Sequence, residues 1–469
     1  MSTGDISLEN QVGSNTLDPD AIEDRLLKIV KSTRERATPG EQIEAYALWS
    51  RDNEVRSFRC EIETLESAES EGIGIRVIKD GKLGFAWSGR TDEKSIRDTL
   101  ENARDNTRYA TPDEAVGLAI PDGVKPADLN LFREELLEVP MATKVAMAID
   151  LDRELQSRDK RIRMVEQANY GDGAYISAIA TTEGIQLSSR RTSCYLAAYA
   201  LAGEGEDSHA GGGSHVARSV EELDREIVVS EAILHATRLL GAKKPTSRDL
   251  TVVFEPRVCA TFLSIISGPL SGDALAKGRS LFANRLGEQV ASSIFDLVDD
   301  PTDARTYGAQ RIDAEGIACR KVSLISKGVL QGFLHSSESA RRCNSQTTGS
   351  AIRGGYATTP GVGPRALTLA PGDKSNEEIV KSIDSGILVQ SITGVHSGVN
   401  PISGDVSVGA EGVLIENGSL STPVREATIA STLQKMLLDV VEVGNDATWL
   451  PGSANGVTLA IGTMSLSGA

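Results

Sequence analysis

Gly72-Ile-Gly-Ile-Arg-Val-Ile-Lys-Asp-Gly-Lys-Leu-Gly-Phe-Ala-Trp87 sets two alternating runs on either side of the dipeptide Asp80-Gly81. Ile73, Ile75 and Val77 share one side of the first run, and Leu83, Phe85 and Trp87 share one side of the second. Period-2 alternation about an Asp-Gly pair predicts a β-hairpin, because both turn positions need the positive φ that Asp and Gly tolerate. Upstream, Ile22, Leu26, Ile29 and Val30 fall at i, i+4, i+7 and i+8, the stripe of an amphipathic helix entered through Asp20 and placed to cover a sheet. Downstream, a helix from about Thr91 carries Ile96, Leu100 and Ala103 inward, and the Pro- and Asp-rich stretch Thr111 to Asp128 reads as a linker. The expected division is a polar leader over residues 1–20, then a first α+β unit over 21–125.

Residues 126–246 are expected to form a second α+β unit. A helix carries Val145 and Ile149; strand-like runs follow at Arg161 to Asn169, Tyr175 to Thr181 and Thr192 to Leu201, with turns expected at Gly171-Asp-Gly173 and Glu183-Gly184. Glu204 to Ser214 reads as a mobile acidic, Gly-rich loop. A closing helix is marked by a capping box of Ser219 and Glu222 and stopped by Gly241 and Pro245. Residues 247–469 are β-rich: a buried strand at Thr251 to Phe254, hairpins about Lys327-Gly328 and Asn417-Gly418, and helices near Arg257 to Ile266 and Ser431 to Val440. The fold class is therefore α+β, an N-terminal region of sheet plus helices followed by a barrel- or sandwich-like C-terminal domain.

The 469 residues carry 49 Lys and Arg against 66 Asp and Glu, a formal charge of −17 that repels phosphate backbones and anionic lipid. No nucleic-acid or membrane partner is expected, since no basic patch interrupts this balance and no apolar run reaches the ~18 residues of a membrane span. The five cysteines are scattered, odd in number and without CxxC spacing, which fits reduced thiols in a cytoplasm better than a disulfide framework or a zinc ribbon. No repeat of solenoid or propeller period occurs.

Candidate chemistry is thin. His209 and His215 bracket Ala210-Gly-Gly-Gly-Ser214, where two imidazoles on a flexible loop make a poor metal site and a solvated loop is the simpler reading. His235 reads as a boundary histidine on a helix, and His335 with Cys343 brackets a strand-to-helix transition. His396 and Asn400, in Gly394-Val-His-Ser-Gly-Val-Asn-Pro401, are weak candidates for substrate binding on a Gly-rich loop that turn formation alone would also explain. Cys259 opens an apolar helix, as a helix-terminal thiolate or a buried inert thiol. Gly72-Ile-Gly74 lacks the rest of a dinucleotide fingerprint; neither a phosphate loop nor a GxSxG elbow is present.

Several segments resemble the TldD/PmbA family, also called the modulator of DNA gyrase family, and specifically its PmbA/TldE-like branch. They are Gly72 to Val77 with Gly84-Phe-Ala-Trp-Ser88, Ser336 to Cys343 with Thr348-Gly349, Gly398-Val-Asn-Pro-Ile-Ser-Gly-Asp405, Gly409 to Gly418, Pro423 to Ala430 and Val443-Gly-Asn-Asp446. The resemblance implies a cytoplasmic two-chain protease in which a TldD chain binds zinc through an HExxxH helix while its PmbA/TldE partner completes the assembly. Two histidines on one helix grip the metal, and the glutamate activates the bound water. That motif should fall at Leu263 to Gly268, which here reads Leu-Ser-Ile-Ile-Ser-Gly.

The resemblance thus implies a subunit with no catalytic residue, metal or cofactor of its own, zinc being expected in a TldD-like, HExxxH-bearing partner. Its substrates would be unfolded peptides, such as a precursor losing its leader or a labile antitoxin. The competing expectations are an autonomous amide or peptide hydrolase in a biosynthetic pathway, using the His396 loop or Cys259, and an interaction module without catalysis.

Overall fold

The computed structural model describes residues 17–468. Most of the polar leader expected over residues 1–20 lies outside them. α1 (Pro19–Arg34) begins behind Asp18, whose carboxylate accepts from the Asp20 and Ala21 amides at 3.1 Å. The cap is therefore two residues earlier than Asp20, which becomes a first-turn acid favoured by the helix dipole. β1 (Gln42–Phe58), β2 (Glu61–Lys79) and β3 (Lys82–Ser88) follow, the last two joined at Asp80-Gly81 with φ of 51° and 71°. Next come α2 (Glu93–Thr107), α3 (Glu135–Glu138), α4 (Met141–Arg158), β4 (Ile162–Thr181), β5 (Gln186–Ala202), β6 (His209–Ala217) and α5 (Arg225–Thr237).

The six strands make one antiparallel sheet in the order β3-β2-β1-β4-β5-β6, so chain from both sides of the 111–128 connection shares a single sheet. Ala45, Ala47, Trp49, Ile73, Ile75 and Ile176 pack beneath α1 and α2. Val55, Tyr170, Leu196 and Ala198 pack beneath α4 and α5 on the same face. The four helices thus roof one face and leave the other open to the C-terminal half.

Three local expectations are corrected. β4 runs unbroken through Gly171-Asp-Gly173: a Cβ at Gly171 would collide with the Tyr195 ring, and one at Gly173 with Tyr175 and Asp52. These glycines make room for aromatic side chains in the sheet and do not turn the chain. Residues 209–214 of the expected mobile loop belong to β6, whose Gly211 and Gly213 lie against the α5 backbone at Ala236 and Val228. Close strand-to-helix approach is what the glycines permit. α5 is capped by Asp224, which accepts from Glu226 and Ile227, while Ser219 makes no side-chain cap.

The C-terminal half contains β7 (Arg248–Phe254), α6 (Pro256–Ser267), α7 (Gly272–Ala276), β8 (Leu297–Asp299), β9 (Val322–Ser326), β10 (Val329–Leu330), α8 (Ser337–Arg342), β11 (Ala351–Ile352), β12 (Gly361–Val362) and β13 (Leu367–Leu369). It continues with α9 (Asn376–Lys381), β14 (Ser385–Thr393), α10 (Val395–Gly398), β15 (Asp405–Glu416), β16 (Ser419–Thr432), α11 (Leu433–Leu438), β17 (Val440–Val443) and β18 (Leu459–Ser467). Strands β16-β15-β14-β7-β18 pair in that order, and β16 pairs again with β18, closing a five-stranded barrel. β7 is apolar on both faces because Val252 and Phe254 pack with Phe262, Leu263 and Ile266 of α6, while Val253 packs with Ile379 and Ile383 around α9.

The halves are joined closely. Gly72 and Gly74 let the Tyr356 ring and the Tyr356 carbonyl approach β2, where a Cβ would collide with either. Glu44 of β1 lies between the guanidinium groups of Arg76 and Arg353, all three side chains being nearly inaccessible. Arg341 of α8 donates to the carbonyls of Ala115, Leu118 and Gly117 at 2.7, 3.2 and 2.6 Å, pinning the connection to the C-terminal half.

Candidate functional site

Because the helices cover one face of the six-stranded sheet, every second residue of its strands faces the C-terminal half. On β5 these are Arg191, Ser193, Tyr195, Ala197 and Tyr199, and register places Val216, Ser214 and Gly212 of β6 beside the last three. Between this floor and the C-terminal half lies a cleft of about 620 Å³, lined by Tyr195, Tyr199, His235, Arg257, Tyr307, Gln390 and Glu411 among others. Burial raises the pKa of the Tyr195 and Tyr175 hydroxyls, and the hydrogen bond from Tyr175 to Asp52 raises the latter further, so both remain protonated donors.

One network stiffens the cleft wall. Arg238 donates Nε and Nη2 to Gln390 Oε1 at 2.9 and 2.8 Å, and Nη2 also to Glu255 at 2.6 Å. Gln390 donates to the His235 carbonyl at 2.8 Å. The His235 ring sets Nδ1 2.7 Å from the Gly212 carbonyl and Nε2 3.5 Å from Glu255. A carbonyl partner assigns the proton to Nδ1. Burial pushes the Glu255 carboxyl up, but the His235 hydrogen bond and the Arg238 charge outweigh it and hold it below its ordinary value. Arg257 donates to the Ser214 hydroxyl and carbonyl at 3.1 Å each and pairs with Glu231. Tyrosine faces, strand backbone and fixed charges of both signs suit the binding of an extended chain.

α6 rises from this wall at Glu255. Its segment Leu263 to Gly268 buries Leu263 and Ile266, while the Ser264 and Ser267 hydroxyls donate to the Ala260 and Ser264 carbonyls at 2.9 and 2.7 Å. These residues do not fit zinc, which needs thiolate, imidazole or carboxylate donors. Among the described residues, no three His, Cys, Asp or Glu side chains converge as a metal-binding set. Burial pushes the Cys259 thiol up to about 12, an inert thiol and not a helix-terminal thiolate.

The structure does not bring the histidines singled out in the sequence together. His209 and His215 sit six residues apart on one strand, about 20 Å. His209 is buried, and His215 Nδ1 accepts from the Asp224 amide at 3.1 Å. They belong to a packed strand, and the flexible loop expected there is corrected on that account. Burial lowers the pKa of His335, whose Nδ1 lies 3.3 Å from the Ser339 hydroxyl, and raises that of Cys343. His396 lies exposed in α10. Asn400 accepts from the Ile402 and Ser403 amides at 2.9 and 3.2 Å as a turn-forming residue. Neither lines the cleft. His235 does, together with Tyr195, Tyr199, Tyr307, Gln390 and Glu411, which the sequence reading did not single out; the alternation of Tyr195, Ala197 and Tyr199 was the one local signal available.

A helix-roofed antiparallel sheet, a closed barrel and a cleft between them define the architecture of a metallopeptidase family built from three segments. Residues 43–107 match the model of PmbA/TldA metallopeptidase domain 1, residues 134–240 its central domain and residues 247–468 its C-terminal domain. The chain belongs to the PmbA/TldD family. It is 27% identical over 393 residues to the Metalloprotease PmbA homolog of Haemophilus influenzae, covering 82% of this chain and 83% of that one. It is 26% identical over 389 residues, with the same coverage, to Metalloprotease PmbA of Escherichia coli O157:H7. In fold it is similar to the crystal structure of TldE from Thermococcus kodakarensis, with a TM-score of 0.84 and 22% identity over 95% of this chain and 99% of that one.

Proposed function

We propose that this chain is the non-catalytic, PmbA/TldE-like subunit of a heteromeric metalloprotease, holding an unfolded peptide in its cleft while a separate TldD-like chain supplies the HExxxH helix and its zinc. The observation that carries the reading is the contrast within one wall: the cleft is rigidly built, yet the adjoining α6 segment Leu263 to Gly268 spends its polar groups on its own helix. Tyrosine rings and strand backbone grip a chain without demanding a particular sequence, which suits leader-peptide removal or antitoxin degradation in a cytoplasm. The second reading, an autonomous amide or peptide hydrolase, is favoured by one feature, the His235 and Glu255 side chains 3.5 Å apart at the cleft.

Hydrolysis of an unfolded peptide, with zinc content determined on the same samples, separates the two. The chain is assayed alone and co-expressed with an HExxxH-bearing paralogue from its host. Zinc and activity confined to the co-purified complex support the subunit reading. Activity of the chain alone, abolished by H235A, overturns it.

A further inference from the structure

Next to the cleft, on the same open face of the sheet, a second and smaller cavity of about 170 Å³ is walled by β1, β4 and β5 below and by residues 310–314 and 353–365 above. Four of its lining residues are Arg or Asp: Arg191, Arg353 and Arg365 against Asp313. Asp313 is already engaged, accepting from the Glu315 and Ile317 amides at 2.9 Å and from the Ala351 amide at 3.1 Å. Burial and the neighbouring Glu315 carboxylate raise its pKa, which weakens it further as a counter-charge.

The three guanidinium groups keep unused donors. The Arg353 side chain is 1% exposed; its Nη2 serves Glu44 and the Ala314 carbonyl, yet its Nε and Nη1 have no hydrogen-bond partner. Arg365 spends Nη2 on the Ala351 carbonyl at 3.0 Å and leaves a buried Nε without one. Arg191 stacks 5.2 Å above the Tyr175 ring and pairs with no carboxylate among the described residues. Arg218, also buried, donates only to the Thr192 and Thr306 carbonyls, and burial together with the charges of Arg191 and Arg133 lowers its pKa to about 10. In a chain of net charge −17 this cavity therefore gathers three guanidinium groups, of which only Arg353 holds an ion pair, with Glu44, among the described residues.

Buried donors without partners are costly, and planar guanidinium forks match the two-oxygen edge of a carboxylate or phosphate. We propose that this cavity is a binding site for a small oxyanion, held by Arg191, Arg353 and Arg365. The volume admits a phosphate- or carboxylate-sized group with a few waters, at ~30 Å³ for each water. Such a group has two sources: a free inorganic oxyanion, or the terminal carboxylate of a peptide lying in the cleft. The second source rests on the function proposed above. It is within reach, because Arg191 and Tyr199 are eight residues apart on the same face of β5, about 26 Å, the length of seven or eight extended residues.

The test is thermal unfolding and direct titration of the full chain with inorganic phosphate, against sodium chloride at matched ionic strength. Parallel titrations use an eight-residue peptide with a free C-terminal carboxylate and the same peptide as its amide. R191Q removes a cation whose side chain has the Tyr175 stack but no ion pair in the fold, and each variant's own ligand-free melting temperature is the baseline for its titration; R365K is the second variant. Saturable stabilisation of wild type by phosphate, with the apparent Kd raised about tenfold or more in R191Q, supports the site. Competition between phosphate and the peptide acid, but not the amide, assigns the peptide terminus as the source; a response to phosphate alone assigns the free oxyanion. No saturable response to either ligand in wild type, or identical affinities in wild type, R191Q and R365K, overturns the proposal. The phosphate arm is read without a peptidase partner, so its outcome is independent of the subunit reading.

Discussion

At Glu44 one carboxylate stands between the Arg76 and Arg353 guanidinium groups, joining β1 and β2 to a loop of the C-terminal half. Burial alone would raise its pKa, but the charges of Arg353 and Arg76 prevail and lower it from 4.5 to about 2. A carboxyl with a depressed folded-state pKa stabilises fully above its unfolded value, so this contribution is present above pH 4.5 and is lost as pH falls toward 2. E44Q leaves two buried cations short of their partner and should cost about 3–5 kcal/mol at neutral pH. Urea unfolding of wild type and E44Q across pH 7 to 2 should show that gap closing below pH 4.5; a gap independent of pH would assign the loss to packing. Arg76 was visible in the hairpin sequence as the one charged residue among Ile73, Ile75 and Val77, but nothing local paired it with Glu44 or Arg353.

At the scale of elements, the hairpins and amphipathic helices were legible because their signals are local. Asn417-Gly418 adopts φ of 51° and 74° between β15 and β16, as the dipeptide requires. N417A puts a Cβ residue without a side-chain hydrogen-bonding group at that φ and should cost about 1 kcal/mol in chemical denaturation with no change in m-value. β4 and β6 were misread at their glycines, since the same residue type serves a turn, an aromatic ring lying across a strand, or a helix pressed against one. At Gly213 a Cβ would meet the Val228 carbonyl of α5, a backbone atom that cannot rotate away. G213A should therefore displace α5 and cost roughly 1–3 kcal/mol, and, because His235 rides on α5, also weaken peptide binding in the cleft. A variant as stable and as competent in binding as wild type would refute this account of the glycine-rich strand.

At the scale of the whole molecule, the two halves meet through a few anchors: Tyr356 over Gly72 and Gly74, Glu44 with Arg353, and Arg341 against the 115–118 carbonyls. R341A orphans three carbonyl groups and should make the 111–128 connection a site of proteolytic nicking several-fold faster than in wild type, with the barrel core intact. Limited proteolysis followed by mass measurement locates the cut; cleavage elsewhere would show that the connection is held by other contacts. The fold class, the elements with strict periodicity and the absence of zinc ligands at Leu263 to Gly268 were determined by the sequence itself, since each depends on residues adjacent in the chain. The cleft, the ring closure through β16 and β18, and the meeting of Arg191 with Arg353 and Arg365 were decided only by tertiary structure. Those features bring together residues far apart in the chain, Tyr46 and Arg365 at one cavity, and alternation along a strand states which residues share a face but not what that face will meet.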